Sequence, residues 1–224
     1  MRHQMRVCLI LALSVFLLTG CAVHGTEGET SEEKQPIPLT GEELAYYNEI
    51  LSLSYTEEGA EGINPMCLFF MSYYDRVEEM DMASFLRYFP SSGRGAEEEF
   101  QRLKTKSGWP FSECAYLEDM PVPLHKYPAA EVERVLQQYA GIGLAELETL
   151  NGADVFYLEE YGAFYNYTSD FGLGSFVCIR GEREGDMVRL YQESWDGTWQ
   201  CLTLQETEDG PRILSHRLLT EAEQ

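Results

Sequence analysis

The stretch "YLEEYGAFYNYTSDFG" concentrates side chains that can bind a ligand, with six aromatic rings and three carboxylates in sixteen positions. Alternation along an extended strand separates three tyrosines on one face from an amide and a carboxylate on the other: Tyr161, Tyr165 and Tyr167 against Asn166 and Asp170. If they were exposed, these groups would stack against a sugar or another flat solute. If they were buried, the rings would pack in a core with their hydroxyls at its edge. The sequence favours packing and leaves the ligand platform as the alternative.

Catalytic patterns are scarce, although His125 and His216 are candidate general bases. The chain contains no H-E-x-x-H, P-loop, dinucleotide-binding, EF-hand or G-x-S-x-G pattern. Glu159 and Glu160 would point to opposite faces of a strand, so they are poor partners for acid–base catalysis. We therefore predict no catalytic residue and no cofactor. A nucleophile and a base from distant positions could still converge in a hydrolase.

The N-terminus reads as an export signal. Arg2 and Arg6 precede an apolar run over residues 7–18, and Leu18-Thr-Gly-Cys21 follows. The segment is too short to span a bilayer after cleavage. Its last four residues resemble the lipobox of bacterial lipoproteins, in which the cysteine becomes the acylated first residue. We predict a signal peptide over residues 1–20, with Cys21 as a lipid anchor on the extracytoplasmic face of the membrane.

Composition divides the rest of the chain. Residues 21–40 are rich in Gly, Thr, Ser, Glu and Pro, which predicts a disordered tether, and residues 41–224 are predicted to form a single domain.

The chain without its leader is strongly acidic, because 14 basic residues stand against 38 acidic ones and give a formal charge near −24. Such a charge makes nucleic acid an improbable partner. The charge either keeps the domain soluble or attracts cations or a basic partner. We expect the protein to be a monomer.

Four cysteines remain after the leader and the anchor: Cys67, Cys114, Cys178 and Cys201. None forms a C-x-x-C pair, so no metal site is predicted. Apolar neighbours favour free, buried thiols, although an extracytoplasmic location permits disulfides. The best candidate disulfide joins Cys178 to Cys201.

Helical patterns dominate the first part of the folded region. Thr40-Gly-Glu-Glu43 predicts a capping box that opens a helix, and apolar spacing predicts helices over residues 78–89, 96–106 and 128–140. A short helix is expected over residues 144–150. The apolar run at 66–71 is interpreted as a buried strand, although periodicity does not exclude a helix.

After Asp154 the period changes to short β-rich segments: "VFYL", "SFVCI", "MVRLYQ", "WQCLTL" and "RILSHRL". Asp196-Gly197 and Asp209-Gly210 are strong hairpin signals. The expected fold is α+β, with N-terminal helices packed on a C-terminal antiparallel β-meander.

Three stretches carry a resemblance: "LHKYPAAEVERVL", "YLEEYGAFYNYTSDFG" and "GDMVRLYQ". They resemble a group of uncharacterised lipoproteins encoded by anaerobic gut bacteria, and the likeness covers roughly the C-terminal half. The resemblance implies a lipoprotein leader, a variable tether and an α+β body, and it supplies no functional residues. We expect a lipid-anchored domain that binds or scaffolds, with a cell-surface hydrolase of dispersed catalytic residues as the alternative.

Overall fold

The structure is a computed structural model that describes residues 35–57, 60–89, 93–167 and 175–223. Residues Lys34–Gln224 form one compact unit. The predicted signal peptide, Cys21, Asp170 and most of the predicted tether lie outside the described residues. Within the described ranges, no helix has the length and apolar character needed to cross a membrane.

The fold is mixed α+β, as the change of period along the sequence predicts. The α-helices are α1 Gly41–Ile50, α2 Met82–Leu86, α3 Glu97–Leu103 and α4 Ala129–Tyr139. The strands are β1 Ile37–Pro38, β2 Ser54–Glu57, β3 Ala60–Ile63, β4 Gly93–Arg94, β5 His125–Pro128, β6 Phe156–Leu158, β7 Ala163–Asn166, β8 Arg180–Glu184, β9 Met187–Glu193, β10 Trp199–Thr207 and β11 Gly210–Leu218. Short 3₁₀ helices span Pro65–Phe70, Val77–Glu79, Leu117–Asp119, Leu144–Glu146 and Glu159–Tyr161.

The largest sheet is an antiparallel meander with strand order β1-β8-β9-β10-β11. Gly185 and Gly197 lie in two of its hairpin turns, and Gly210 follows the third turn as the first residue of β11. Each has a positive φ that side chains disfavour. The predicted hairpins at Asp196-Gly197 and Asp209-Gly210 are thereby confirmed. Two predicted strands do not belong to the meander. "VFYL" contributes β6 to another sheet, and "SFVCI" is irregular up to the start of β8.

The predicted tether ends earlier than residue 40. Ile37 and Pro38 form the edge strand β1, where Ile37 lies opposite Arg183 of β8. The Leu39 amide donates to the Gly181 carbonyl at 2.9 Å. An edge strand tolerates a proline because one side of its backbone needs no donor. The extended segment before α1 is therefore part of the folded unit, contrary to the predicted boundary.

The second sheet has the order β4-β5-β7-β6, and its central strand β7 is buried at all four positions. Phe164 faces the main core together with Tyr127. Tyr165 faces a second apolar cluster on the opposite side, formed with Phe156 and Leu158. A strand covered on both faces has no polar side, which explains why this segment reads as a continuous apolar and aromatic run.

The helix start that was predicted from capping residues is found in the structure, whereas predictions from apolar runs are less accurate. The Thr40 hydroxyl accepts from the Glu43 amide and the Glu43 carboxylate accepts from the Thr40 amide, so the predicted capping box is present. The predicted strand at 66–71 is wrong, because a 3₁₀ helix spans Pro65–Phe70. Asn64 caps this helix by accepting from the Met66 amide at 3.1 Å. The helix predicted over 78–89 divides into the 3₁₀ turn Val77–Glu79 and α2.

Side chains of α1 bond to residues of the meander and to the segment that precedes it. The Asn48 amide nitrogen donates to the Cys178 carbonyl at 2.9 Å, and the Asn48 amide oxygen accepts from the Cys178 N–H at 2.7 Å. Tyr47 donates to the Glu206 carboxylate at 2.5 Å. Asn48 therefore supplies the hydrogen bonds that a neighbouring strand would give to Cys178.

Asn48→Ala is expected to lower the free energy of unfolding by about 1 to 3 kcal/mol, because both backbone groups of Cys178 lose their partner. Urea denaturation measures the change. Asn151→Ala is the matched control, since Asn151 accepts one exposed hydrogen bond from the Tyr157 amide and should cost no more than about 1 kcal/mol. Equal losses in the two variants would contradict the role given to Asn48.

Candidate functional site

The register of the meander gathers one set of residues at a single end of the sheet. Gln192, Gln200 and Leu218 face one another across β9, β10 and β11. Arg180 lies opposite Tyr191 at the same end. The turn between β9 and β10 closes this end, which we call the Trp195 end. The four strands span about 14 Å at the usual interstrand spacing.

Exposed apolar side chains concentrate at the Trp195 end. Ten large apolar residues are exposed in the described part of the chain, and five of them belong to this region. We call them the sheet-end patch: Tyr73, Val177, Ile179, Trp195 and Leu218. The Val177 amide donates to the Gln192 side chain and the Ile179 amide donates to the Tyr191 carbonyl, which holds both residues beside β9. A concentration of exposed apolar side chains at one end of a sheet is a candidate interaction site.

Trp195 is 98 % exposed, and the turn that carries it is well ordered by hydrogen bonds. The Ser194 amide donates to the Thr198 carbonyl at 2.8 Å, and the Gly197 amide donates to the Ser194 carbonyl at 2.9 Å. Burying an indole ring would contribute about 4 to 6 kcal/mol at the usual value per unit area. The turn forgoes that stabilisation and presents the ring to solvent.

Asp196 follows Trp195 and remains ionised. Its carboxylate accepts from the Thr198 amide at 3.0 Å. Hydrogen bonds from the Thr198 backbone and hydroxyl lower the pKa of Asp196. The Trp195 end therefore combines exposed rings with a fixed negative charge.

Tyr73 reaches the turn through His216. The Tyr73 ring, 49 % exposed, lies 4.8 Å from the His216 ring between centroids. The Nε2 atom of His216 lies 3.1 Å from the Gln200 side-chain oxygen, and the Gln200 amide contacts the Ser194 hydroxyl at 2.7 Å. A short chain of contacts thus connects Tyr73 to the residue that precedes Trp195.

His216 is a structural histidine, as its position among apolar residues suggests. Its Nδ1 atom donates to the Ser72 carbonyl at 2.8 Å, and the ring is buried among aromatic side chains. Burial lowers the pKa of His216 to about 4, and the Ser72 contact offsets only part of that effect. A ring that is buried and whose protonated form is disfavoured is poorly placed to act as a general base.

The His216 pKa predicts a loss of stability in acid. The unfolded histidine binds a proton near its ordinary pKa of 6.5, whereas the folded one resists protonation until about 4. The stabilisation is complete above pH 6.5 and should fall by roughly 2 to 3 kcal/mol between pH 7 and 4.5.

Urea denaturation of the wild type and of His216→Gln at both pH values isolates this contribution, because the carboxylates titrate equally in both proteins. The variant should lose that much less stability on acidification. NMR titration of the wild-type ring gives an independent reading, and a pKa above 6 would contradict the assignment.

The residues predicted as a ligand platform do not share an exposed face. Tyr165 and Asn166 are fully buried in β7, and the Tyr127 hydroxyl donates to Asn166 at 3.2 Å. Tyr161 lies in the 3₁₀ turn before β7 and is 38 % exposed. Tyr167 is half-buried and donates to Asp154 at 2.8 Å. The alternation expected over the whole stretch fails because the strand is only four residues long.

Glu99 is the buried carboxylate among the described residues, and its bonds are structural. It accepts from the Ala96 amide at 2.7 Å and pairs with Lys126. Burial alone would raise the pKa of Glu99, but hydrogen bonds from Lys126 and Ala96 lower it. Glu99 is therefore an ionised cap of α3 and differs from a catalytic acid, whose pKa is raised.

The candidate disulfide between Cys178 and Cys201 is absent, and the four described cysteines are free thiols. Cys178 precedes β8, whereas Cys201 lies in β10, and β9 separates the two strands. Two interstrand spacings exceed the distance that a disulfide can bridge. Among the described residues, no group of three or more His, Cys, Asp or Glu could hold a metal ion.

His125 and a nearby concavity offer little chemistry. His125 begins β5 opposite Asn166, and burial together with the Arg94 charge lowers its pKa. A shallow concavity of about 370 Å³ lies beside Arg94, where Leu117, Met120 and Val122 supply an apolar floor. Neither feature brings a nucleophile and a base together within the part of the chain that the structure describes.

Comparison of the chain with protein-family models, with curated proteins and with solved structures gave no match. The role of the sheet-end patch must therefore be inferred from the positions and exposure of its own residues. The sequence contained one signal for it, because "SWDGT" places a tryptophan inside a tight turn, and turns run over the protein surface. Tyr73 carried no such signal, since its position depends on a contact with distant His216.

Proposed function

We propose that this chain is a lipid-anchored lipoprotein on the extracytoplasmic face of a bacterial membrane, and that its folded domain binds a ligand or partner without catalysis. The leader and Leu18-Thr-Gly-Cys21 support the signal peptide over residues 1–20 and the anchor at Cys21. The sheet-end patch is the observation that carries the binding function, because half of the exposed large apolar residues among those described belong to it.

Strand polarity places the patch and the start of the folded domain at opposite ends of the sheet. β1 runs antiparallel to β8, so Ile37 lies near the Gly185 turn, at the end of the sheet opposite Trp195. Cys21 precedes Ile37 by 16 residues, which span at most about 55 Å. The tether would therefore join the domain at the end of the sheet opposite the patch.

The domain architecture supports the same proposal. We infer that the N-terminal helices pack on one face of the meander, since Tyr47 and Asn48 of α1 bond to Glu206 and Cys178. This arrangement would leave the Trp195 end open. A hydrolase is the alternative, and the neutral, bonded state of His216 weighs against it.

The anchor is tested by acylation. Cells that express the full-length chain and are fed a clickable palmitate analogue should label the wild type, and Cys21→Ala should abolish labelling because no other residue is the acceptor. Cys114→Ala is the matched control, since Cys114 is a half-exposed free thiol and its loss should leave labelling unchanged. Persistent labelling of Cys21→Ala would refute the anchor.

The binding function is tested by a thermal-shift screen of cell-wall fragments, glycans and cations. A ligand at 100 times its Kd should stabilise the domain by about 2.7 kcal/mol. Trp195→Ala should remove the shift and leave the unliganded melting temperature unchanged, because the ring contributes no burial. Tyr116→Ala, which removes a ring that is 59 % exposed outside the patch, should retain the shift. A fragment that is consumed would favour the hydrolase.

A further inference from the structure

We propose that Tyr73, Trp195 and Asp196 form a binding site for an organic cation of the quaternary ammonium class. The inference deepens the proposed binding function and rests on the same patch. It commits to a chemical class because three properties coincide: two exposed aromatic rings, a fixed carboxylate and a strongly acidic chain.

The rings supply the first half of the recognition. Aromatic faces carry negative electrostatic potential, and a cation over the face of Trp or Tyr is attracted to it. The Trp195 ring is almost wholly exposed and the Tyr73 ring is half exposed, so both offer surface to a ligand. Tyr73 is held by its contact with His216, and the hydrogen-bonded turn fixes the backbone that carries Trp195. A ligand would therefore have to order only the Trp195 side chain.

Asp196 supplies the second half. It follows Trp195 directly, and its charge reaches Tyr73, since burial and the Asp196 carboxylate together raise the pKa of Tyr73. The groups that act on Asp196 are the Thr198 backbone and hydroxyl, and no basic side chain among the described residues pairs with it. The carboxylate is thus ionised and available to a cation.

The wider charge distribution favours the same class. The chain carries a formal net charge of −22, and Glu193 lies on the same hairpin as Asp196. Such a field attracts cations and repels anions. A hydrated metal ion needs several oxygen ligands, and the described residues contain no cluster that would supply them. A quaternary ammonium carries its charge under apolar methyl groups, which match exposed rings beside one carboxylate.

The test titrates the full-length protein, in a non-ionic detergent, with tetramethylammonium and choline by isothermal calorimetry. Dimethylbutanol, the uncharged carbon isostere of choline, is the ligand control. Tetramethylammonium and choline should bind and dimethylbutanol should bind at least about tenfold more weakly, because the charge provides the attraction. Raising the salt concentration should weaken binding of the two cations, since the carboxylate is exposed.

Variants distinguish binding at a defined site from attraction by the overall negative charge of the chain. Asp196→Asn should weaken tetramethylammonium binding by about three- to tenfold, and Trp195→Ala should abolish it, with Trp195→Phe intermediate. Glu193→Gln is the matched control, because it removes one negative charge from the same hairpin outside the site and should change affinity by less than about twofold. Equal effects of Asp196→Asn and Glu193→Gln would refute a defined site.

The outcomes distinguish this inference from the proposed function. If neither tetramethylammonium nor choline binds, or if dimethylbutanol binds as well as choline, the cation site is wrong. The binding function then stands if another ligand from the thermal-shift screen is lost in Trp195→Ala. If a neutral glycan is that ligand, the patch is a sugar platform and the carboxylate serves as a hydrogen-bond acceptor.

Discussion

The buried ring of His216 holds together the end of the molecule on which the candidate site depends. It contacts four aromatic side chains, which are Phe70, Tyr73, Tyr74 and Phe176. Its backbone exchanges two hydrogen bonds with Tyr74, at 2.7 and 3.1 Å, so β11 is tied to the segment that carries Tyr73. The ring must remain neutral because a charged imidazolium in such surroundings would lose its hydration. The geometry of Tyr73 relative to the β9–β10 turn therefore depends on one uncharged histidine.

Charge pairing in the meander explains why Asp196 stays unneutralised. Five of the basic residues that follow the leader lie in β8–β11: Arg180, Arg183, Arg189, Arg212 and Arg217. Arg183 bridges Glu206 and Glu43, which links β8 to β10 and to α1. Arg189 lies within ion-pair distance of Glu182 and Glu184. Arg183 and Arg189 thus offset carboxylates that the sheet brings close together, whereas no ion pair of Asp196 is found among the described residues. Arg180 lies over the Tyr191 and Trp199 rings.

Short-range chemistry made part of this fold predictable from the sequence. The Thr40 capping box, the helix after Pro128 and the two Asp-Gly hairpins each depend on contacts within about five residues. The 3₁₀ helix at Pro65–Phe70 did not follow from periodicity, because a run that is buried on all sides has no alternation. The aromatic platform failed for the same reason, since β7 is covered on both faces by elements distant in sequence.

An aromatic residue at a tight turn is a better indicator of an exposed ring than a high density of aromatic residues in a segment. Tyr165 belongs to the densest aromatic stretch, yet it stabilises the fold by leaving water. Trp195 has fewer aromatic neighbours in sequence, and its ring at the hydrogen-bonded turn is 98 % exposed. A turn of five residues needs no tryptophan to form, because Asp196 and Gly197 provide its conformation and its hydrogen bonds. The indole ring therefore contributes no burial to folding at this position.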